Sequence, residues 1–484
     1  MQPTTPKNLS RVLQALARAG LEVSRSDNIY KVRLRGRPDA PCAEVLLPDG
    51  FPVEGKALRQ LAALAAATHP AGGAVERACA SPDFHPGDAG VAIGSIALTE
   101  GMVIPAAVGS DINCGMRLHV IDLDVDRLMA GKAALIEALR GDLFFGKRDL
   151  PMTAASMRGL FHEGLPGWLA AVRAAPLGMM GRVDLEELER EVERVHLGGA
   201  LDGDARWAPE DLVPAGGEPL RDGGMATIGG GNHFVELQVV EEVVDRRLAR
   251  AWGVRAGQVA LMIHSGSRGV GKHVGAAWRD RARAAWPKGQ VFPTGELFAL
   301  SLADQPALVA SYLRAEATAA NYGFVNRLLL AELVRRRIRQ ICGDRAAPLI
   351  YDLPHNITLP IAGDPRRWIV RKGACPAHAG QPVIIPGSMG AASYLLVGHG
   401  DPRLCESASH GAGRAISRFE IGRGPVDEEA LGLRGVECVT LREERRIEEA
   451  PAAYKPIGPV IECQVAAGIG GVVARMRPLL TFKG

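Results

Sequence analysis

The sequence predicts an α/β protein in which strands and helices interleave within one domain of the 484-residue chain. Apolar residues at helical spacing alternate along the chain with short apolar runs bounded by glycine and proline, which are typical of strands. Glycine-rich strings that could bind a ligand follow such runs on both sides of the strongest helical pattern, residues 305–342. Because folding must bring these strings together, we expect the strands and helices before and after that helix to share one domain.

The composition excludes a largely disordered chain and predicts a cytoplasmic protein with reduced thiols. Hydrophobic residues make up 47% of the sequence and charged residues 23%, which is typical of soluble globular proteins. The longest apolar run is interrupted by Glu100 and Pro105, so no membrane span is predicted. The first 23 residues lack the apolar core of a signal peptide, and the eight cysteines form no C-x-x-C pair.

The net charge of +3 is too close to neutral to indicate a nucleic-acid partner by itself. A binding site for a polyanion must therefore be local. Three arginine clusters could provide one, and they lie at residues 335–339, 366–367 and 442–446. We expect the first cluster to be a solvated face of the long helix.

In the first half of the chain, helical periodicity alternates with turn and strand patterns. Helices are predicted at residues 8–19, 54–68, 126–141 and 184–196. A turn is predicted at 24–28, strands at 30–34 and 233–240, and further short strands from Ser81 onward. Residues 198–231 are rich in glycine, aspartate and proline and are predicted to form a long surface loop.

In the second half, strands dominate after the long helix. A strand is predicted at 258–263, followed by helices at 273–286 and 305–342. Strands are then predicted at 348–353, 367–371, 382–385, 393–397 and 435–441.

Five side chains could together bind a metal ion. Asp111 and Cys114 are three residues apart in a glycine-flanked turn, while His233, His264 and His355 each lie at the end of an apolar run. Such a mixed O, N and S set suits zinc, cobalt, iron or manganese, and composition alone favours zinc. The alternative is structural: the aspartate would cap backbone N–H groups, the cysteine would be buried, and the histidines would be satisfied by hydrogen bonds.

His410 is better suited to attack a ligand than to bind a metal. Gly411 and Gly413 clear space around its ring, and Arg414 could hold phosphate oxygens with a fixed guanidinium fork. A neutral imidazole that attacks phosphorus forms a phosphoramidate. The alternative is a turn histidine without a reactive role.

Two further glycine strings could hold phosphate groups. Residues 266–272 have the G-x-x-x-x-G-K spacing of a P-loop, but His273 replaces the metal-binding Ser or Thr, which makes a P-loop NTPase the less favoured alternative. Residues 386–390 with Ser393 form either a nucleotide cradle or a tight connection between strands.

Together these strings resemble the RtcB-type RNA ligases, which join RNA ends using GTP and manganese. The resemblance covers residues 80–484 and rests on Pro82-Asp-Phe-His-Pro-Gly87, Asp111-Ile-Asn-Cys-Gly-Met-Arg117, Gly229-Gly-Gly-Asn-His-Phe234, His264-Ser-Gly-Ser-Arg-Gly269, His355-Asn356, Arg371-Lys-Gly373, Pro386-Gly-Ser-Met-Gly390, His410-Gly-Ala-Gly-Arg414, Ala453-Tyr-Lys455 and Lys483-Gly484. It implies one α/β domain of α+β type, with antiparallel sheets flanked by helices. We assign this RtcB-like catalytic domain to residues 61–484 and an N-terminal accessory segment to residues 1–60.

The resemblance also implies the roles of individual residues. Asp111, Cys114, His233, His264 and His355 would bind two manganese ions rather than zinc, with Cys114 bridging, and His410 would attack the α-phosphate of GTP. Arg268 would contact RNA phosphates. Glu236 and Lys483 would read the base edge within a set of guanine-nucleotide contacts that comprises Asn232, Glu236, Asn356, Pro386, Gly387, Ser388, Met389, Ser393, Gly411, Ala412, Gly413 and Lys483.

The implied reaction joins a 3′-phosphate or 2′,3′-cyclic phosphate RNA end to a 5′-hydroxyl RNA end. It passes through a GMP-histidine intermediate and an RNA(3′)pp(5′)G end, in tRNA splicing or RNA repair. The resemblance implies a monomer and allows an archease-type activator as a partner. Two other functions stay open: a dinuclear-metal phosphoesterase or cyclic phosphodiesterase without guanylylation, and an RNA-binding module without enzymatic activity.

Overall fold

Helices and mostly antiparallel sheets alternate along the chain in the computed structural model, which describes residues 6–88, 90–213, 215–424 and 426–484. The α-helices of these residues are α1 (Pro6–Arg18), α2 (Gly55–Ala65), α3 (Pro105–Val108), α4 (Val125–Leu143), α5 (Ala154–Ala174), α6 (Leu185–Glu191), α7 (Arg246–Trp252), α8 (Arg268–Ala284), α9 (Pro306–Cys342), α10 (Arg418–Ile421), α11 (Glu443–Glu448) and α12 (Ile457–Ala466). Within the described ranges, no helix combines the length and apolarity needed to cross a bilayer.

The strands of the described residues carry the labels β1 to β19. They are β1 (Leu21–Ser26), β2 (Ile29–Leu34), β3 (Ala43–Leu46), β4 (Ala74–His85), β5 (Ile93–Glu100), β6 (Met102–Val103), β7 (Gly115–Asp124), β8 (Phe234–Val243), β9 (Gln258–Ser265), β10 (Leu300–Ser301), β11 (Leu349–Pro354), β12 (Asn356–Ile361), β13 (Asp364–Lys372), β14 (Ala374–Pro376), β15 (Pro382–Ile385), β16 (Ser393–Gly398), β17 (Ser407–Ser409), β18 (Cys438–Val439) and β19 (Gly470–Phe482).

Two large sheets organise the molecule. One has the strand order β1-β2-β3-β4-β5-β13-β12, and the other has the order β11-β7-β9-β8-β19-β16-β15 with β18 beside β19. Neighbouring strands are antiparallel except at β3–β4 and β18–β19. This arrangement confirms the predicted α/β class with antiparallel sheets and interleaved helices.

The 37-residue helix α9 packs its middle section inside the protein, against α4, α5, α8 and strand β9. The apolar side chains of this middle section, including Phe324 and Leu328, are fully buried. The predicted helix at 305–342 is therefore confirmed almost to the residue. Because α9 lies against the second sheet, its polar residues Asn326 and Arg327 can hold the turns at the ends of the strands.

The arginine cluster at the end of α9 is not a solvated face, so that prediction was wrong. Arg335 is only 2% exposed and forms ion pairs with Glu191 and other carboxylates. Arg336 and Arg337 both pair with the buried Asp142. The helix contacts α4 and α6 along this face, and unpaired charges buried there would be strongly destabilising.

Most other predicted elements are present, with shifted bounds. The turn predicted at 24–28 is shorter, because β1 continues to Ser26. Helix α8 begins at Arg268, five residues before the predicted start. The strand predicted at 435–441 shrinks to Cys438–Val439. The predicted loop at 198–231 contains two short 3₁₀ helices, and Met225 and Ile228 within it are buried.

The N-terminal residues extend the first sheet. Strands β1 to β3 form one edge of it, with β3 parallel to β4. The predicted boundary at residues 60–61 lies inside helix α2, whose apolar face is buried against the sheet. The division into an accessory segment and a catalytic domain stays a prediction.

Candidate active site

A cavity of about 1000 Å³ opens where one end of the second sheet meets the first sheet. The strand order β11-β7-β9-β8 brings four of the predicted ligands to this end. Cys114 directly precedes β7, His264 lies in β9, His233 directly precedes β8, and His355 follows β11. In the register of the sheet, His264 lies opposite both Met116 and Phe234, so neighbouring strands present their ligands side by side.

The five predicted metal ligands form two groups that share one thiol. The Sγ atom of Cys114 lies 3.1 Å from Nε2 of His233 and 3.2 Å from Nε2 of His264. His264 Nε2 is 3.3 Å from His355 Nε2, and His233 Nε2 is 2.9 Å from a carboxylate oxygen of Asp111. One group is Cys114, His264 and His355, and the other is Asp111, Cys114 and His233, with all ligand atoms of each group within 4.8 Å of one another.

Backbone contacts orient two of the imidazoles. Nδ1 of His233 lies 3.1 Å from the carbonyl oxygen of Ile228, and Nδ1 of His264 lies 3.1 Å from that of Asn232. When Nδ1–H donates to these carbonyls, the lone pair of Nε2 is free to bind a cation. Each ring therefore points its ligating nitrogen at the cluster.

Burial sets the charge states of the ligands. Burial lowers the pKa of His264 and of His355 well below the usual value, with neighbouring imidazoles adding to the effect, so both rings are neutral. Burial and the Asp111 carboxylate raise the pKa of the Cys114 thiol. Burial alone would raise the pKa of Asp111, but His233 and other partners more than offset it, and the net pKa is below the usual range. Neutral imidazoles, a carboxylate and a buried thiol that needs a cation to ionise are together compatible with metal use.

Close packing leaves no room for a side chain under this cluster. A Cβ at Gly266 would lie 2.4 Å from a carboxylate oxygen of Asp111 and 3.1 Å from the Cα of Cys114. Gly266 therefore allows the end of β9 to lie close to the turn that contains Asp111. Lys272 is exposed on α8 and does not line the cavity, so the P-loop alternative receives no support.

His410 lies at the edge of the ligand cluster and is held by Asp83. Its ring centroid is 4.8 Å from that of His355. Asp83 Oδ2 accepts hydrogen bonds from His410 Nδ1 at 2.7 Å and from the His410 backbone N–H at 3.2 Å. Ser81 Oγ donates to Asp83 Oδ1 at 2.5 Å. Burial raises the pKa of Asp83, but the hydrogen bond and charge of His410, together with Ser81 and His85, outweigh it and leave the net pKa lowered, so the carboxylate is ionised.

Most of the predicted nucleotide contacts line the same cavity. They are Asn232, Glu236, Asn356, Pro386, Gly387, Ser388, Met389, Gly411, Ala412, Gly413 and Lys483. Asn356 also links two segments of the cavity lining. Its side chain donates to the Asp111 carbonyl and accepts from the backbone N–H of Gly373. Lys483 donates to the carbonyls of Gly231 and His233.

Two predicted contacts do not reach the cavity. Ser393 Oγ accepts hydrogen bonds from Gln238 and from the backbone N–H of Gly387, so it supports the 386–389 loop. Arg268 donates to Thr227 Oγ1 at 3.0 Å at the start of α8. Neither residue lines the cavity.

Arg414 lines the cavity but is not a free fork for phosphate, which corrects the expectation from sequence. Its guanidinium donates to the Glu449 carboxylate at 3.1 Å and to the carbonyl oxygens of Glu448 and Ile416. All three guanidinium nitrogens are thereby used to hold the 414–454 segment.

Reasoning from sequence gave no role to Asp83, which holds His410, or to Lys372 and Glu54, which line the cavity. Lys372 is half-buried beside the cluster, and its Nζ donates to the Val108 carbonyl at 2.7 Å. Asp83 and Lys372 lie within strings that carry the family resemblance, which was the available signal. Glu54 lies outside those strings, and a single sequence offers no signal for it.

The antiparallel α/β fold and a cavity that combines a cluster suited to cations with a buried histidine–aspartate pair are compatible with an enzyme that uses a metal. The chain belongs to the RtcB family: the family model described as tRNA-splicing ligase RtcB matches residues 60–484. This match includes every residue of the ligand cluster and His410.

Curated relatives agree with the family match. The chain is 35% identical over 441 residues to the RNA-splicing ligase RtcB of Mycobacterium tuberculosis, which covers 85% of this chain and 98% of that protein. It is 33% identical over 442 residues to the tRNA-splicing ligase RtcB of Pyrobaculum aerophilum, covering 83% and 87%. With the RNA-splicing ligase RtcB homolog 1 of Entamoeba histolytica, identity is 32% over 447 residues, covering 85% and 81%.

Proposed function

We propose that this protein is an RNA ligase that joins a 3′-phosphate or 2′,3′-cyclic phosphate end to a 5′-hydroxyl end, using GTP and two manganese ions. The family match and the names of the relatives support the ligase class. The observation that carries the proposal is His410, held by Asp83 at 2.7 Å and adjacent to the ligand cluster. That position suits a nucleophile that works beside cations rather than a further ligand.

The first step is attack of His410 on GTP. Because Nδ1–H donates to Asp83, the lone pair for attack is on Nε2, which forms a bond to the α-phosphorus. The bond between that phosphorus and the bridging oxygen breaks, and pyrophosphate leaves. The Asp83 carboxylate stabilises the positive charge that develops on the ring.

The second stage transfers GMP to the RNA. After a cyclic end is opened by water, an oxygen of the 3′-phosphate attacks the GMP phosphorus, the P–N bond breaks, and His410 is regenerated. The 5′-hydroxyl oxygen then attacks the RNA phosphorus of the RNA(3′)pp(5′)G end, and GMP leaves. Two divalent cations held by Asp111, Cys114, His233, His264 and His355 would neutralise phosphate oxygens and orient the reactants.

A ligation assay tests the proposal directly. The chain is incubated with a 5′-hydroxyl RNA and either a 3′-phosphate RNA or a 2′,3′-cyclic phosphate RNA, with and without GTP and Mn²⁺. Joined product that needs both additions, with one GMP released per joint, is expected. Conversion of a cyclic end to a 3′-phosphate without GTP-dependent joining would instead identify a phosphoesterase.

Exchange of Asp83 for asparagine should slow guanylylation of His410 by about 10²- to 10⁴-fold. The variant keeps the size of the side chain but loses the charge that holds and stabilises the imidazole. Single-turnover labelling with α-labelled GTP measures the rate. The exposed Asp122→Asn variant should label at the wild-type rate. If Asp83→Asn labels at the wild-type rate and its metal content is unchanged, the carboxylate has no positioning role.

Affinity for GTP should rise about tenfold between pH 6 and pH 8 through Glu236. Burial raises the pKa of this carboxyl to about 7, while hydrogen bonds from Thr481 and Gln238 oppose that shift. Below pH 7 the group is protonated, and above it the carboxylate can accept the N–H groups of the guanine edge. Titration calorimetry with GTP measures the effect. Glu236→Gln should bind weakly at both pH values, and a wild-type affinity independent of pH would contradict the assignment.

The remaining roles rest on the resemblance. We propose that Arg268 contacts RNA phosphates once the RNA end is bound, that the chain acts as a monomer in the cytoplasm, and that an archease-type activator can serve as its partner. Mutation of Arg268 to alanine is the corresponding test of RNA affinity.

We also propose that residues 1–60 are an accessory segment that stabilises the catalytic domain. Glu54 lies 2.9 Å from Nζ of Lys455, which also donates to the carbonyl of Phe84 beside Asp83. Glu54→Gln should therefore lower the free energy of unfolding by about 1–3 kcal/mol, because it leaves a buried ammonium without its counter-charge. Denaturant titration measures the change. Glu44→Gln, at a half-exposed pair with Lys31, should cost less than about 1 kcal/mol.

A further inference from the structure

Two thiols outside the cavity lie in contact, and the segments that carry them lead to the catalytic pair. Sγ of Cys79 in β4 is 4.0 Å from Sγ of Cys405. Asp83 follows Cys79 by four residues on β4, and His410 follows Cys405 by five residues through β17. The Asp83–His410 hydrogen bond therefore closes a loop that begins at the two cysteines.

We infer that Cys79 and Cys405 form a reversible disulfide under oxidation by a peroxide, and that this cross-link slows the reaction of His410. The effect on His410 rests on the proposed function, whereas formation of the cross-link does not. Neither thiol belongs to the ligand cluster or lines the cavity.

Backbone contacts hold Cys405 in place facing Cys79. Cys405 and Glu406 both adopt left-handed backbone angles, with φ of 49° and 51°. Arg77 donates to the carbonyls of Pro402 and Arg403, and Arg371 bridges from Ser407 Oγ to the carbonyl of Cys405. A turn of non-glycine residues in this conformation persists only because surrounding groups enforce it.

The two thiols differ in access and in acidity. Cys79 is completely buried, whereas Cys405 is partly exposed. The hydrogen bond with the Cys79 thiol lowers the pKa of Cys405, burial opposes this, and the positive charges of Arg77 and Arg371 lower it further. The same contact and burial raise the pKa of Cys79. Cys405 is thus the thiol that reacts first with an oxidant from solvent.

The chemistry balances with hydrogen peroxide as the oxidant. The Cys405 thiolate attacks one peroxide oxygen, the O–O bond breaks, and a sulfenic acid and hydroxide form. The Cys79 sulfur then attacks the Cys405 sulfur, the S–O bond breaks, and the proton of the thiol leaves with the oxygen as water. In total, two thiols and one peroxide give one disulfide and two waters.

Bond formation must displace at least one of the two cysteines. A disulfide requires the sulfurs to approach from 4.0 Å to about 2.05 Å. Because β4 is paired on both sides in the first sheet, while β17 is a three-residue strand paired with β14, the shift falls mainly on the segment before His410. A displacement of about 1 Å at a reacting group can cost up to about 100-fold in rate. We expect guanylylation of His410 to fall roughly tenfold or more.

The experiment uses the full chain loaded with Mn²⁺, so that Cys114 is occupied during oxidation. After treatment with hydrogen peroxide, free thiols are blocked with N-ethylmaleimide, and unreduced digests are analysed by mass spectrometry. A peptide pair that joins Cys79 to Cys405 is expected as the main cross-link. Recovery of both cysteines as separate adducts or separate sulfinic acids would overturn the proposal.

Labelling of His410 with α-labelled GTP provides the second readout. In the wild type and in the control Cys463→Ala, peroxide should slow labelling and dithiothreitol should restore it. Cys79→Ala and Cys405→Ser should label at the wild-type rate before oxidation. In both variants the slowing by peroxide that dithiothreitol reverses should be absent. A cross-link that leaves the labelling rate unchanged would overturn the effect on His410. Absence of labelling in the reduced wild type would instead count against the proposed function, while the cross-link is still judged by mass spectrometry.

Discussion

Replacement of His410 by alanine should abolish covalent labelling of the protein by α-labelled GTP, with a loss of at least about 10³-fold. The imidazole is the group that would form the P–N bond, and no other nucleophile takes its place beside both Asp83 and His355 in the described cavity. The label should be stable to alkali and labile to acid, as expected of a phosphoramidate. Denaturing electrophoresis of the quenched reaction measures it.

A matched control separates chemistry from folding in this experiment. His69 is also a buried histidine, but it packs against Trp286 away from the cavity. His69→Ala should retain labelling once its folded fraction is taken into account. Label in the His410→Ala protein would refute His410 as the nucleophile. No label in the wild type with GTP and Mn²⁺ would refute covalent guanylylation and favour the phosphoesterase.

The positions of the metal-ligand candidates were largely readable from sequence because strand ends carry a local signal. A histidine that closes an apolar run and opens a glycine turn must lie at a sheet edge, as His264 does after Val259 to Ile263. The order of strands in the sheet, β11-β7-β9-β8, could not be predicted from the sequence. It is this order that places the ends of these strands next to one another. Proximity of Cys114 to three histidines is a property of that order.

Elements without clear periodicity were missed. Helix α5 includes Gly164 with φ of +67° and Pro166, so it is kinked, and its residues carry breakers that are typical of loops. Strand β7 was missed because it begins at Gly115, directly after the turn of Asp111 to Cys114, with no separating loop in the sequence. The 13-residue strand β19 contains Pro478, and its pairing with β8 has register shifts. Both features weaken the alternating sequence pattern that predicts a strand.

Partners of charged groups were the least predictable feature. Arg335 and Arg414 were expected to face solvent or phosphate, yet both are held by carboxylates that are distant in sequence, Glu191 and Glu449. Asp83 was inconspicuous for the same reason, since its role depends on His410, 327 residues away. Composition and spacing give the charge of a segment, but they do not show which oppositely charged residue folding brings next to it.

Cys114→Ala should remove most bound manganese from the protein. Its Sγ is the atom common to both ligand groups, so its loss affects both cation positions, whereas loss of His355 or of Asp111 affects one. Changes to residues that only support a ligand cost about 10- to 100-fold in metal affinity, and loss of a shared ligand should cost at least about 100-fold. Metal analysis of dialysed protein, expected at two ions per wild-type chain, measures the loss independently of activity.

Two variants make the Cys114 result specific. Cys342→Ala removes another buried thiol, at the end of α9 and outside the cavity, and should retain the wild-type metal content. Asp111→Asn should lose about one ion while it retains the second, because Cys114, His264 and His355 still form a complete group. Retention of two ions by Cys114→Ala would show that the thiol is only a buried side chain and that the two cation positions are built from other atoms.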